Sequence, residues 1–132
     1  VILLIPFIAF SQKIDCNNNS ALESKMEELW NGLNGFLKGS NLASADYHEI
    51  RLLVMEKLGI AKTNWSSKEK EMLAKMEHIR WSRYHFVNHW NYGLVKDKVK
   101  RTHPLLVAYE KLAQEEKAKD LSTVMELFEE RG

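Results

Sequence analysis

The sequence contains little cysteine, proline and glycine, and these shortages exclude several kinds of protein. Its 132 residues include one cysteine, two prolines and six glycines. The single cysteine, Cys16, excludes an intramolecular disulfide framework and the multi-cysteine sites that hold zinc or iron–sulfur clusters. So few prolines and glycines leave no room for a low-complexity linker. We therefore expect one mainly α-helical domain, with or without a segment that belongs to a neighbouring domain.

Neither sign of charge dominates the chain. Lys and Arg number 19 and Asp and Glu number 18, which gives a net charge of +1. This balance argues against a protein that coats nucleic acid, so we expect no nucleic-acid partner. The one basic concentration is the run 96–101, which holds four basic side chains and one acidic side chain. Such a run is typical of a solvated loop, and it is also a place where an anionic ligand can be held.

The chain also lacks an apolar run that could cross a bilayer. Residues 1–10 are apolar throughout, but a transmembrane helix needs about 20 such positions. We expect a cytoplasmic protein without a membrane partner. Three interpretations of residues 1–10 stay open: the last strand of an upstream domain, broken at Pro6; an export signal that has lost its basic start; or a segment that packs locally. The first is favoured, and since the chain begins with Val1 we expect it to be part of a longer protein.

Helical spacing and capping signals divide the rest of the chain. They predict helices over 21–38, 44–58 and 67–90, and at least one more between 110 and 131. Strands are expected only as short pieces, around 1–10 and in an extended segment after Pro104, at about 104–108. The predicted divisions are an N-terminal apolar segment and loop over 1–19, a helical connector over 20–65, and a C-terminal domain over 66–132.

The third predicted helix begins at a capping box formed by Ser66 and Glu69. Its expected core-facing positions recur at helical spacing and are Met72, Met76, Ile79, Phe86 and Trp90. The second predicted helix has an apolar face made of Tyr47, Ile50, Leu53, Val54 and Leu58. Trp81 lies off the core stripe of the third helix, so a buried ring and an exposed or half-exposed ring both stay open for it.

The stretch from Leu73 to Arg131 resembles the RyR domain, the module named for its repeats in ryanodine-receptor calcium-release channels. The residues that carry the resemblance follow the family's order: His78, Trp81, Trp90, Tyr92, Gly93, Lys100, Arg101, His103, Pro104, Leu106, Val107, Tyr109 and Leu112. Lys117 and Asp120 fit the helix start that commonly comes next. His89 is a departure, because it stands where the family usually has glycine.

The resemblance implies a helical fold and a module of a larger bacterial or phage protein. It also implies an upstream partner, a Rossmann-like domain in the full-length protein, of which residues 1–10 would be the last strand. We expect a non-enzymatic, small-ligand-sensing module. The alternative is a protein–protein interaction or oligomerisation module without a small ligand. A third possibility, an enzyme whose upstream domain does the chemistry, stays open.

The residues themselves give little support for catalysis or metal binding. The chain has no Gly-x-Ser-x-Gly elbow and no glycine loop of the kind that cradles phosphate. His85 and His89 have the spacing of two metal ligands on a helix, but no third and fourth ligand accompany them. We therefore expect no enzyme activity, no metal and no cofactor.

One group of aromatic and basic residues suits a planar anionic ligand. A flat apolar ring can stack on such a ligand while fixed positive charge pairs with its anionic part. We predict one pocket for a small anionic, nucleotide-like ligand, lined by Trp81, Tyr92, Lys100, Arg101, His103 and Tyr109. The competing interpretation is a core tryptophan beside an exposed loop.

Overall fold

The chain is mainly α-helical, as the sequence predicts. The structure is a computed structural model that describes residues 19–129, so the strand predicted within residues 1–10 lies outside the described residues. The elements in chain order are α1 (Asn19–Asn31), α2 (Gly35–Leu58), α3 (Ser67–Val87), β1 (Asn91–Tyr92), β2 (Thr102–His103), a 3-10 helix (Tyr109–Lys111) and α4 (Gln114–Glu129).

The first predicted helix, 21–38, is two helices. Asn34 starts the second one, because its Oδ1 accepts a hydrogen bond from the Leu37 backbone N at 2.9 Å and its carbonyl accepts one from Lys38 N at 3.0 Å. Asparagine is among the residues preferred at this capping position. The predicted helix end at Gly39 and the predicted start at 44 are therefore wrong, and α2 runs without interruption through both.

Contacts divide the chain into two compact units, with the boundary after Ala45 in α2. The second unit contains two apolar clusters. One is formed by Met55, Ile60, Leu73 and Val124, and the other by Ala74, Tyr109 and Leu112. Since α3 contributes to both clusters, it is the helix around which this unit is built.

A buried ion-pair network joins α2 to α3. The Glu77 carboxylate accepts hydrogen bonds from Arg51 Nη2 at 2.7 Å and from Arg80 Nη2 at 2.8 Å. Arg51 and Glu77 are 0% and 1% exposed, and His48 Nδ1 lies 3.3 Å from Arg51 Nη1. Removing one partner of a buried pair leaves a charge without compensation, which costs about 3–5 kcal/mol. The network therefore fixes how these two helices align.

The predicted core faces are only partly right. Met72 and Met76 pack against the core and Trp90 is 8% exposed, as expected, but the buried network displaces other members of the two stripes. On α2 the interior takes His48, Arg51 and Met55, and the apolar side chains on the other side are exposed: Ile50, Leu53 and Leu58. On α3 the interior takes Leu73, Glu77, Arg80 and Trp81, whereas Ile79 and Phe86 are 37% and 51% exposed. The polar side chains are tolerated inside because they pair with one another.

The chain turns sharply after α3. The capping box predicted at its start is present, but the helix ends at Val87, and His89 adopts the left-handed backbone conformation with φ of 66°. The family's glycine at this position suits that conformation. Two short parallel strands follow, with Asn91 opposite Thr102 and Tyr92 opposite His103. A side chain at Gly93 would meet Thr102 Cβ at 2.6 Å, so this close approach requires glycine.

The strand predicted at 104–108 is not formed. Pro104 and Leu105 lie in a turn, in which Leu106 N donates to His103 O at 3.3 Å. The strand lies just before Pro104: Thr102 and His103 form β2, which pairs with β1. Leu106 is nevertheless buried at 5% exposure and Leu112 at 7%, so the segment after Pro104 is anchored in the interior.

Candidate functional site

Trp81 lies inside a cluster of aromatic and imidazole rings. Its ring centroid lies 4.0 Å from that of His85 and 5.0 Å from that of His103, and Trp90 packs edge-on against His85 at 5.3 Å. α3 supplies Trp81 and His85, the turn after it supplies Trp90, and β2 supplies His103. All four are 5–8% exposed. We call these four residues the histidine–tryptophan cluster. Of the two alternatives for Trp81, the exposed or half-exposed ring is therefore wrong.

Backbone hydrogen bonds fix the tautomers of the histidines. His85 Nδ1 lies 2.9 Å from the Trp81 carbonyl and His78 Nε2 lies 2.7 Å from the Val107 carbonyl, so each of these nitrogens carries the proton and donates. His103 Nδ1 accepts from Leu105 N at 3.1 Å. His85 faces the interior, at 5% exposure.

Burial keeps the cluster uncharged at neutral pH. Removal from water, with smaller effects of nearby Lys96 and Arg80, lowers the pKa of His85 to about 4. Burial, with smaller effects of Lys96 and His85, likewise lowers the pKa of His103 to about 4. Desolvation disfavours the charged form of an imidazole. The histidines of the cluster therefore pack as neutral rings and do not attract an anion.

The six residues predicted to line one pocket are divided between the interior and the surface. Trp81, His103 and Tyr109 are buried, and Tyr109 is linked to Trp81 through His78, whose ring lies 5.8 Å from Trp81 and 6.2 Å from Tyr109. The other three, Tyr92, Lys100 and Arg101, are exposed. The guanidinium of Arg101 donates to the Asn88 carbonyl at 3.1 Å.

Of the six, Tyr109 is the one that lines a described cavity, and it lines two of them. The first, which we call the α3–α4 cavity, has a volume of about 430 Å³, within the range of about 300–1,000 Å³ for small-molecule sites. Its floor is Ala74, Tyr109 and Leu121, and its polar lining is Lys70, Glu71, Gln114 and Lys117. The sequence does not single out Lys70, Glu71 or Gln114, because these residues come together only when α3 and α4 pack.

Positive charge reaches this cavity from both helices. Lys117 Nζ lies 4.9 Å from the Tyr109 ring centroid, in the geometry of a cation–π contact, and Lys70 projects from α3. α4 begins at Gln114, and a helix N-terminus carries partial positive charge. Burial, followed by the carboxylates of Glu71 and Asp120, raises the pKa of Tyr109. Its hydroxyl therefore stays protonated and can donate a hydrogen bond.

A second depression, the α3 groove, lies on the other side of Tyr109. It has a volume of about 520 Å³ and includes Ile79, Phe86, Leu106 and Val107 in its lining. At one end Lys75 forms an ion pair with Glu110, which neutralises its charge. The α3 groove is mainly apolar and also includes Arg83 in its lining, whereas the α3–α4 cavity brings together two lysines from different helices.

Three side chains near the α3 groove contact one another in the Ser–His–Asp series of a serine-hydrolase triad. Ser82 Oγ lies 3.4 Å from His78 Nε2, and His78 Nδ1 lies 3.7 Å from Asp120 Oδ2. The general base of a triad must accept the serine proton at Nε2. Here Nε2 donates to the Val107 carbonyl, and burial raises the pKa of Asp120 to about 7. This arrangement therefore does not activate Ser82. Within residues 19–129, no cluster of three His, Cys, Asp or Glu side chains could hold a metal ion.

Comparison with known families confirms the resemblance seen in the sequence. The family model for the RyR domain matches residues 58–130, which is more than half of the chain. No curated protein and no solved structure matches it significantly. The matched range contains α3, both short strands, the histidine–tryptophan cluster and the α3–α4 cavity. The chain belongs to the RyR domain family.

Proposed function

We propose that this RyR domain is a non-enzymatic module that binds a small anionic, nucleotide-like ligand in the α3–α4 cavity. The observation that carries the proposal is the convergence of Lys70, Lys117 and Tyr109 on one cavity of about 430 Å³. Two ammonium groups on different helices can hold a phosphate between them. An apolar floor beside them accepts the uncharged part of the ligand.

The remaining polar side chains of the cavity suit the other parts of a nucleotide. The Glu71 carboxylate accepts hydrogen bonds, as ribose hydroxyls require, and the Gln114 amide both donates and accepts, as a base edge requires. Glu71 is also the one acidic side chain in this lining. Because a carboxylate can only accept hydrogen bonds, it favours a ligand that presents hydroxyl groups beside its phosphate.

The histidine–tryptophan cluster has a supporting role in this proposal. His78 stacks on Trp81 and donates to the Val107 carbonyl, which holds the chain just before Tyr109. Tyr109 then lies between the cluster and the α3–α4 cavity. The histidine–tryptophan cluster thus helps to position Tyr109 in the cavity floor and does not itself contact the ligand.

The proposal is tested by nucleotide-dependent thermal stabilisation. A ligand at one hundred times its dissociation constant stabilises a protein by about 2.7 kcal/mol, which raises the melting temperature by roughly 10 °C for a domain of this size. We expect AMP or a related nucleotide to produce such a shift. Lys117→Met and Lys70→Met should each lower the affinity at least about tenfold, because each removes a charge-assisted contact worth about 1.5–3 kcal/mol.

Lys100→Met is the matched control, because it removes the same charge from an exposed residue outside the cavity. This variant should bind as tightly as the unaltered chain. The absence of any nucleotide-dependent shift would contradict the proposal. Loss of the shift in Lys100→Met, with binding retained in Lys117→Met, would place the ligand at the basic loop instead.

A second candidate function is protein–protein interaction or oligomerisation, and the exposed apolar face of α2 favours it. Ile50, Leu53 and Leu58 are 51%, 57% and 56% exposed, and contiguous apolar surface of this kind marks interaction sites. Light scattering coupled to size exclusion tests it. A dimer that becomes monomeric in Leu53→Glu would support this candidate, and a monomer at all concentrations would argue against self-association.

A further inference from the structure

The loop over residues 93–101 exposes aliphatic side chains to an unusual degree. Leu94 is 84% exposed, Val95 72% and Val99 93%. Single exposed apolar residues are normal on protein surfaces, whereas a concentration of them marks a contact site. Side chains this exposed project outward and cannot be the lining of a groove.

The same loop carries a concentration of positive charge. Its basic side chains are all exposed and are Lys96, Lys98, Lys100 and Arg101. The acidic residue among them, Asp97, directs its carboxylate at the loop backbone: Oδ1 accepts from Val99 N at 2.8 Å and from Lys100 N at 2.9 Å. The carboxylate is thus turned inward, while the ammonium groups face outward beside the aliphatic side chains.

Internal hydrogen bonds hold the loop in this shape. Asp97 N donates to Thr102 O, and Thr102 N donates to Asp97 O, both at 3.0 Å. The Thr102 hydroxyl donates to Val95 O at 2.9 Å. The bond from Arg101 to Asn88 O attaches the loop to the end of α3, and Asn91 N donates to Arg101 O at 2.9 Å. The loop that carries the aliphatic side chains is therefore held in a defined conformation by its own hydrogen bonds.

From these features we infer that the 93–101 loop docks reversibly on an anionic lipid surface. Leu94, Val95 and Val99 enter the interface between lipid headgroups and acyl chains, and the surrounding lysines contact headgroup phosphates. Aliphatic side chains flanked by basic ones are the combination by which proteins bind at a bilayer interface without crossing it.

The loop's chemistry favours a lipid surface over other anionic partners. Proteins that hold single-stranded nucleic acid stack bases on aromatic rings, and residues 93–101 contain none. A lipid interface also favours a segment whose backbone groups are already bonded internally, as those of Asp97, Val99, Lys100 and Thr102 are.

This inference differs from the expectation of no membrane partner, which rested on the lack of a spanning segment. Within the described residues, no helix has the length and apolar character needed to pass through a bilayer. Docking by a loop needs neither, since it uses a few side chains at the interface.

The test measures binding of the full chain to vesicles. Phosphatidylcholine vesicles that contain about 30% phosphatidylserine should bind the chain, pure phosphatidylcholine should bind it at least about tenfold more weakly, and added salt should release it. Since each basic residue near an anionic surface contributes about fivefold to binding, Lys98→Glu with Lys100→Glu should weaken binding more than about tenfold. Leu94→Ser with Val99→Ser should weaken it by a similar factor.

The matched control carries the same kinds of change away from the loop, Leu42→Ser with Lys62→Glu, because Leu42 is likewise exposed, at 56%. It should bind as the unaltered chain does. All variants retain residues 1–10, so a difference between them reports the loop and not the apolar N-terminal run. Melting temperatures check that each variant folds.

A fluorescent label gives an independent readout of insertion. With Cys16→Ser removing the native thiol, an environment-sensitive dye at Val99→Cys should shift to the blue on anionic vesicles, and the same dye at Leu53→Cys should not. Absence of binding to anionic vesicles, equal binding by the loop variants and the control, or equal dye shifts at the two positions would each overturn the inference.

Discussion

The two ends of α3 differ in how completely neighbouring residues cover their side chains. Near its C-terminal end, Trp81 and His85 are enclosed by Trp90 and His103, and none of these rings is more than 8% exposed. Near its N-terminal end, Lys70 and Glu71 line an open cavity. Two of the six residues that the sequence singles out, Trp81 and His103, are at the closed end.

This difference shows how aromatic and histidine-rich motifs should be interpreted. A tryptophan can bury a large apolar area, and a histidine can satisfy its polar atoms with backbone partners, as His85 does with the Trp81 carbonyl. Together they build a rigid support. Lys70, near the other end of the helix, lines the open α3–α4 cavity instead.

The largest expected effect is the loss of stability on removing the centre of the closed end. Trp81→Ala should lower the free energy of unfolding by about 3–5 kcal/mol, because it leaves a cavity among buried rings. Tyr92→Ala is the matched control: Tyr92 is 53% exposed, so its truncation should cost less than about 0.5 kcal/mol. Urea unfolding measures both, and equal values would contradict a closed cluster.

A somewhat smaller loss is expected where the segment after Pro104 is anchored. Leu106 is 5% exposed, and Leu106→Ala should cost about 2–5 kcal/mol in urea unfolding. A cost below about 0.5 kcal/mol would show that this segment is a surface loop. It would also remove the support for Tyr109.

Acidification should affect the stability of the fold in two opposite ways. The pKa values of His85 and His103, lowered to about 4 by burial, mean that the unfolded chain takes up protons first, so stability is lost as the pH falls below 6.5. The pKa of Asp120, raised to about 7 by burial and by Glu77 and Glu116, acts in the opposite sense, since its protonation favours the folded state.

Each of these groups contributes about 2 kcal/mol between pH 7 and pH 5. The free energy of unfolding of the unaltered chain should therefore fall by about 2 kcal/mol over this interval. That of Asp120→Asn should fall by about 4 kcal/mol, because this variant lacks the opposing effect of Asp120 protonation. Urea unfolding at the two pH values measures the difference. Identical slopes for the two proteins would show that Asp120 is not buried as described, with His78 and Arg80 beside it.

The smallest expected effect is a gain in stability from a substitution just after the end of α3. His89 has a φ of 66°, which costs a residue with a side chain about 1–2 kcal/mol, and glycine gives back about 0.4–1 kcal/mol as unfolded-state entropy. His89→Gly should therefore raise the free energy of unfolding by about 0.5–1 kcal/mol. A loss on this substitution would mean that the His89 side chain stabilises the turn.

The parts of the fold that depend on neighbouring residues could be predicted from the sequence. The start of α3 is set by Ser66 and Glu69, three positions apart, and both capping bonds are present. The faces of α2 and α3 could be predicted only in part: Met72 and Met76 do pack against the core, but Arg51 enters the interior to meet Glu77, 26 positions away. Apolar periodicity carries no information about such a distant pair.

The candidate site divides in the same way. Tyr109 could be named because the resemblance to the RyR family marks it, and Lys117 because it fits the helix start that follows. Lys70 and Glu71 are ordinary charged residues of a helix surface in the sequence. They become part of a cavity only because α4 packs against the first turns of α3.

The measurement that tests the central claim most directly is a nuclear magnetic resonance titration of the ¹⁵N-labelled chain with AMP. If the open end of α3 binds the ligand, the backbone signals of Lys70, Ala74 and Ala118 shift in a saturable way. The indole signal of Trp81 and the signals of residues 93–101 then stay in place. Saturable shifts centred on Trp81 or on residues 93–101, or no shifts at millimolar AMP, would contradict the account.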